Sequence, residues 1–157
     1  MHKENSIVMS SPRRRVFEAA SDLSRWPVIL PHYRWVHYIE KSPRKNLVVM
    51  SARRGWIPVR WTSEQVIDRD REEVRFYHLK AFTKGMKVVW SFKDTVEGTR
   101  VTIAHDLKPT IPIIGGLIAD YVIGNFFIHY IAGQTLKHMK LHIEAENAVI
   151  PAALRKQ

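Results

Sequence analysis

The chain has 157 residues, a length that fits one domain, and 45% of them are hydrophobic, which is enough to build a core. Its net charge of +10, from 25 Lys and Arg against 15 Asp and Glu, favours acidic partners. The absence of cysteine excludes disulfides and thiolate metal sites, and the composition argues against global disorder. Residues 1–10 lack the apolar stretch of a secretory signal, so we expect a cytoplasmic protein, either free or peripheral at a membrane.

The N-terminal part of the chain predicts one strand followed by two short helices. Residues 5–10 are predicted to form the strand. Ser11 is the expected N-cap of the first helix and Pro12 its first residue, because proline lacks the N–H that this position leaves unpaired. Pro27 and Pro31 limit the second helix to one or two turns, since proline interrupts a helix.

The middle of the chain predicts an antiparallel sheet. Turn-forming residues separate successive apolar segments by short connections, which favours a meander over parallel pairing. The six strands predicted here are residues 32–41, 44–54, 57–68, 73–80, 86–96 and 99–108. Together with the first strand they make a sheet of about seven strands.

Three of these strands alternate apolar and polar side chains, which predicts the row that faces the core. The inward rows are predicted to be Val59, Trp61, Ser63, Gln65 and Ile67; Met86, Val88, Trp90 and Phe92; and Val101, Ile103, His105 and Leu107. Gln65 is expected either to be hydrated at the end of its strand or to hydrogen-bond a ligand oxygen. The registers of 32–41, 44–54 and 73–80 stay ambiguous, and so does the direction of His78.

Apolar residues at intervals of three or four predict a long C-terminal helix over about residues 114–147, followed by a tail at 148–157. Asp120, Asn125 and His129 within this helix argue against a membrane span. A twisted, curved sheet needs a cover for its apolar face, and this helix is the long apolar element available. We therefore expect a space between sheet and helix, lined by both.

Other chemistries find little support in the sequence. We recognise no P-loop, dinucleotide-binding turn, HExxH motif or Ser–His–Asp arrangement. His138 and His142 lie one helical turn apart, but the flanking lysines favour an exposed face over a metal site. We expect no metal and no cofactor. The basic residues are scattered without a nucleic-acid-binding motif, which argues against a nucleic-acid partner.

Five stretches together carry a family likeness. They are VFEAASDLSRWPVILPHY (16–33), VRWTSEQVID (59–68), VVWSFKD (88–94), GTRVTIAHDLKP (98–109) and LKHMKLHIE (136–144). In order and spacing they resemble the START-like (SRPBCC, helix-grip) superfamily, in its polyketide cyclase/dehydrase and lipid-transport group. The resemblance implies one α+β domain over residues 1–157. Its curved antiparallel sheet of about seven strands wraps around a long C-terminal helix, with two short helices after the first strand.

The nearest likeness is to bacterial aromatase/cyclases, which fold a poly-β-keto chain, delivered by an acyl carrier protein, for aldol condensation. Tyr33 matches a tyrosine implicated in that family, and Trp61 and Trp90 match tryptophans of the cavity. The family's arginine should lie four residues after Trp61, where this chain has Gln65. His105, on an inward row, has the side chain best suited to pass protons near neutral pH.

The predicted function is binding of a hydrophobic small molecule in an internal cavity. It is either that of a polyketide cyclase/dehydratase with Tyr33 and His105 as catalytic residues, or that of a non-catalytic carrier of lipid or isoprenoid quinone, similar to coenzyme Q-binding relatives. No feature of the sequence singles out a third function, a partner-binding module. Further expected partners are an acidic acyl carrier protein or an anionic membrane surface. The predicted ligand-contacting residues are Trp35, Trp61, Ser63, Gln65, Trp90, Phe92, Ile103, Val122, Asn125 and His129.

Overall fold

A seven-stranded sheet and a C-terminal helix dominate the computed structural model, which describes residues 1–81, 83–107 and 128–149. The strands are β1 (His2–Met9), β2 (Tyr33–Glu40), β3 (Lys45–Arg54), β4 (Ile57–Asp68), β5 (Glu73–His78), β6 (Lys87–Thr95) and β7 (Gly98–Asp106). The helices described are α1 (Arg13–Ser21), α2 (Trp26–Ile29) and α3 (His129–Val149), with a 3-10 turn at Leu23–Arg25.

All neighbouring strands pair antiparallel, in the order β1-β7-β6-β5-β4-β3-β2. This confirms the predicted α+β helix-grip fold, because short turns join β2 to β7 as a meander and β1 completes the sheet beside β7. The β6–β7 turn requires glycine at position 98. Gly98 has a φ of +135°, and a Cβ there would lie 2.2 Å from the carbonyl oxygen of Met9.

The start of α1 differs from the prediction. Helix α1 begins at Arg13 with Pro12 in an extended conformation at the N-cap, and no side chain caps it. The expectation that Ser11 would be the N-cap is therefore wrong. Ser11 is held against the sheet instead, because its N–H donates to the Met9 carbonyl (2.8 Å) and its carbonyl accepts from the Thr99 hydroxyl (2.8 Å).

The core lies between the inward rows of the sheet and the helices. Helix α1 packs on β5, β6 and β7, α2 packs on β2, and α3 packs on β1 and β3. Trp26 of α2 is central, with its ring 5.1 Å from that of Tyr33 and 5.5 Å from that of Trp90. Burying an aromatic side chain of this size contributes about 2–3 kcal/mol, so α2 is held in place despite its single turn.

The described part of the predicted C-terminal helix runs from His129 to Val149, and residues 114–127 of the prediction lie outside the described residues. Its buried stripe is Ala132, Thr135, Leu136, Met139 and Ile143. Lys140 Nζ donates a hydrogen bond to the Val8 carbonyl (2.6 Å), and the Arg15 guanidinium donates one to the Glu146 carboxylate (2.9 Å). These contacts connect α3 to β1 and to α1. Among the described residues, no helix is long and apolar enough to cross a membrane. A single domain over all of 1–157 stays a prediction.

Candidate functional site

The sheet and α3 enclose a pocket of about 80 Å³ that draws on β2 to β7, the loop after β5, α2 and α3. Its lining residues are Trp26, Tyr33, Met50, Val59, Trp61, Phe76, His78, Thr83, Met86, Val88, Trp90, Ile103, His105, Ile128, Ile131, Ala132 and Thr135. None of these carries a permanent charge. Pockets for drug-sized ligands measure about 300–1,000 Å³, so a ligand of that size has to displace side chains of this lining.

His78 and Trp61 form one polar side of the pocket. The rings of Trp61 and His78 are stacked, with centroids 5.9 Å apart and planes 8° from parallel. His78 Nδ1 lies 2.7 Å from the Thr83 hydroxyl oxygen. Burial lowers the pKa of His78 to about 3, and the nearby His105 adds to that shift. His78 is therefore neutral at physiological pH and does not bring charge into the pocket.

His105 of β7 is the second buried histidine of the lining. Burial lowers its pKa to about 4, while the neighbouring Asp106 opposes that shift. Its Nδ1 atom is buried and has no hydrogen-bond partner among the described residues, and the same holds for Nε1 of Trp61. An unpaired buried polar atom costs about 1–3 kcal/mol, so both atoms are suited to meet polar atoms of a ligand.

Tyr33 and Thr135 bring hydroxyl groups to the pocket from β2 and α3. Burial raises the pKa of the Tyr33 phenol, and a side-chain hydrogen bond with Thr135 partly opposes that shift, so the phenol stays protonated. The Thr135 hydroxyl donates to the Ile131 carbonyl (2.7 Å), so His32, at 2.8 Å, donates its Nε2–H to the same oxygen. Burial lowers the pKa of His32 to about 4.

Five of the residues predicted for the site lie together in this lining: Tyr33, Trp61, Trp90, Ile103 and His105. They come from four strands that are distant along the chain. The alternating patterns of β4, β6 and β7 placed four of them on inward rows. Residues predicted from local patterns therefore converge on one pocket, and their roles in it stay proposals.

Gln65 lies on the predicted inward row but away from the pocket. It is fully buried; its Nε2 donates to the Ser21 carbonyl (2.9 Å) and its Oε1 accepts from Asn46 Nδ2 (2.8 Å). The side chain is neither hydrated at a strand end nor free to bind a ligand in this conformation. Both expectations for Gln65 are thus replaced by a third arrangement, in which the amide joins β3 and β4 to the end of α1.

The remaining predicted contact residues lie elsewhere. Ser63 is buried and donates to the Tyr77 carbonyl (3.1 Å), and Phe92 packs edge-on against Phe17 of α1 at 5.7 Å. Trp35 is half-buried beside the His37 ring. His129 begins α3, where its Nδ1 lies 3.2 Å from Asn5 Nδ2. None of these four is part of the pocket lining described above. Val122 and Asn125 lie outside the described residues.

Three polar residues of the lining, His78, Thr83 and Thr135, are not among the predicted site residues. The sequence does not fix the direction of His78 because the register of its strand is ambiguous, and the pairing of Ser63 with His78 resolves that register. Thr83 lies in the turn after β5, outside the alternating strand patterns. Thr135 lies within the apolar stripe of α3, where a single threonine does not by itself indicate a binding site. A residue three positions after Ala132 shares its helix face, which is the signal that would have found it.

Comparison with known proteins agrees with this geometry. Residues 9–121 match the family described as "Polyketide cyclase / dehydrase and lipid transport". A Streptomyces cyaneus protein named "Putative polyketide cyclase" is 26% identical over 127 residues, covering 77% of this chain and 83% of that protein.

Two solved structures show the same fold. Zhui aromatase/cyclase from Streptomyces sp. R1128 superposes with a TM-score of 0.81 at 18% identity, over 98% of both chains. TTHA0849 from Thermus thermophilus gives a TM-score of 0.80 at 23% identity, over 93% of this chain and 99% of that one. The family match spans well over half of the chain. The chain therefore belongs to the polyketide cyclase/dehydrase and lipid transport family, a membership that supports binding of a hydrophobic small molecule.

Proposed function

We propose that this protein is a polyketide cyclase/dehydratase that acts on a polyketide or a similarly apolar chain of carbonyl groups. The observation that carries the proposal is the meeting of Tyr33 and His105 in one apolar pocket. The first side chain holds a proton and the second is free to take one. The named relatives, a polyketide cyclase and an aromatase/cyclase, support the same reaction class.

The protonation states define a role for each residue. A neutral His105 with an unpartnered Nδ1 accepts a proton from the acidic carbon between two carbonyl groups. The resulting enolate carbon attacks a second carbonyl of the same chain, and the Tyr33 phenol donates a hydrogen bond to the oxygen that gains charge. The resulting alkoxide takes the proton back from His105 and becomes a hydroxyl group. His105 then removes a second proton from the same carbon, and the hydroxyl group leaves with that proton as water. No electrons are exchanged, so the sequence of steps balances without a redox cofactor.

The test is turnover of a thioester-linked poly-β-ketone by purified variants. His105→Gln should lower kcat by about 100-fold or more, the usual effect of losing a general base. Tyr33→Phe should lower it by about 100–1,000-fold, the usual effect of losing one hydrogen bond to the oxygen that gains charge. Exposed His37→Gln and half-buried Tyr38→Phe, outside the pocket lining, are matched controls that should stay within about twofold. Full activity in both pocket variants, with an intact fold, would reject these roles.

One observation favours a second candidate, a non-catalytic carrier of lipid or isoprenoid quinone. Among the described residues, the lining includes no Lys, Arg, Asp or Glu, and Gln65 occupies the position of the arginine that the cyclase resemblance implies. The described lining therefore supplies no fixed charge for stabilising an enolate. Native mass spectrometry of the purified protein, followed by solvent extraction, separates the two functions. A lipid or quinone recovered at near one per chain, without turnover, would establish the carrier.

A further inference from the structure

The β3–β4 hairpin carries an exposed tryptophan among arginines. Trp56 lies in the turn between the two strands and is 90% exposed, whereas Trp26, Trp61 and Trp90 are buried. The last paired residues before the turn are Arg54 and Ile57, so the Trp56 side chain projects from the tip of the hairpin. Such an exposed aromatic side chain keeps its apolar surface in water, and burying that surface against a binding partner would be favourable.

The charged residues in the sequence of the β3–β4 hairpin are all basic from Lys45 to Arg60. From residue 41 to residue 63 the sequence contains no Asp or Glu, and its basic residues are Lys41, Arg44, Lys45, Arg53, Arg54 and Arg60. Arg34, Arg53 and Arg60 are exposed, and none of them forms an ion pair within the described part of the chain. Uncompensated arginines beside an exposed tryptophan attract an anionic surface.

The tip also has a shaped site. Arg34, Arg53, Gly55, Trp56 and Pro58 line a surface depression of about 250 Å³. Guanidinium groups bind phosphate through paired N–H donors, and an indole ring settles where apolar and polar media meet. Two arginines beside one tryptophan therefore fit the headgroup layer of an anionic phospholipid bilayer.

The tip lies at one end of the pocket. Val59 lines the pocket three residues after Trp56, and Arg54 lies over the ring of Tyr130, whose neighbour Ile131 also lines the pocket. A membrane held at this tip would lie close to the apolar lining.

We propose that the β3–β4 hairpin tip docks this protein on anionic phospholipid bilayers, with Trp56 inserted at the level of the headgroups and Arg34 and Arg53 bound to lipid phosphates. A bilayer fits better than a folded acidic protein because the tryptophan projects from a convex turn rather than lying in a flat surface. The docking goes beyond the proposed reaction and does not depend on it.

The test is co-sedimentation of the full chain with phosphatidylcholine vesicles that contain either none or about 30% phosphatidylglycerol. The protein should bind the anionic vesicles at least about tenfold more strongly, and about 0.5 M NaCl should release it. Arg34→Gln/Arg53→Gln should lower the partition coefficient by about 25-fold, because each lost charge contributes about a factor of five. The matched control, Arg14→Gln/Arg100→Gln, removes two exposed arginines elsewhere and should lower it much less.

Tryptophan fluorescence tests insertion separately from charge. Anionic vesicles should shift the emission of the protein to shorter wavelength, and Trp56→Phe should abolish that shift, because the indole that enters the bilayer is gone. Val96→Ala, which alters a fully exposed apolar residue in the β6–β7 turn, is the control and should leave binding and shift unchanged.

Four outcomes would overturn the proposal. They are no binding to anionic vesicles, binding unchanged in the hairpin variants, binding without an emission shift, and an emission shift caused by a soluble acidic protein but not by vesicles. The last outcome would assign the tip to a protein partner. Each variant is checked for its melting temperature and for turnover or ligand binding in vesicle-free solution. These readouts should not change, so a failure here is distinguishable from a failure of the proposed function.

Discussion

The inward row of β4 has two ends that treat buried polar groups differently. At Trp61, the indole Nε1 has no hydrogen-bond partner among the described residues, and neither does Nδ1 of His105, which lines the same pocket. At Gln65, both polar atoms of the side chain are paired, one with Asn46 and the other with the Ser21 carbonyl. The polar atoms at the first end have no partners and line a pocket, whereas those at the second end form hydrogen bonds with other parts of the protein. Within four residues of one strand, the candidate site thus gives way to the scaffold that supports it.

The largest effect on stability is expected at the scaffold end. Gln65→Leu removes both partners, leaving Asn46 Nδ2 and the Ser21 carbonyl buried without their hydrogen bonds. The free energy of unfolding should fall by about 2–4 kcal/mol, measured by urea denaturation. Thr62→Ala, on the opposite face of the same strand, should cost less than about 1 kcal/mol. An equal loss of unfolding free energy in the two variants would show that the hydrogen bonds of Gln65 contribute no more to stability than the surface position of Thr62.

The two buried histidines at the pocket end should make the free energy of unfolding depend on pH. His78 and His105 have pKa values lowered to about 3 and about 4 in the folded protein. In the unfolded chain they take up protons below about pH 6.5, so acid favours unfolding. The stability that these two histidines contribute is therefore fully present above about pH 6.5 and should fall as the pH decreases towards about 4.

His105→Gln tests this pH dependence directly, because it removes one of the titrating groups. Between about pH 6.5 and 4 it should reduce the slope of unfolding free energy against pH by up to about 1.4 kcal/mol per unit, the value for one proton. The measurement is urea denaturation at several pH values. Gln65→Leu, at the scaffold end, should lower stability at every pH without altering the slope. An unchanged slope in His105→Gln would contradict the assigned burial of this histidine.

The smallest effect is expected at Ser63, which lies between the two ends. Its hydroxyl donates to the Tyr77 carbonyl (3.1 Å), so Ser63→Ala should cost about 0.5–1.5 kcal/mol and leave ligand affinity unchanged. Denaturation and ligand titration give the two numbers. A fall in affinity of more than about threefold would show that the pocket extends further along β4 than its described lining.

Alternation along the chain was informative for much of the sheet. The patterns around Trp61, Trp90 and Ile103 placed these residues inward because a side-chain period of two leaves little ambiguity when one face is polar. The inward face of the segment around His78 could not be predicted in this way, because the register of the segment depends on its pairing with β4 and β6. The direction of Trp35 could not be predicted for a related reason. The register of β2 against β3 shifts between Tyr33 and Trp35 and again between Tyr38 and Glu40.

Periodicity and turn residues are local properties, so they are sufficient to predict the order of elements, the antiparallel sheet and the inward placement of Trp61, Trp90 and His105. Which inward residues line a pocket depends instead on tertiary contacts. Gln65 shares a row with Trp61, yet only the approach of α1 and β3 supplies the Ser21 carbonyl and the Asn46 amide that occupy it. Hydrogen-bond satisfaction depends on partners distant in sequence, and no local pattern encodes them.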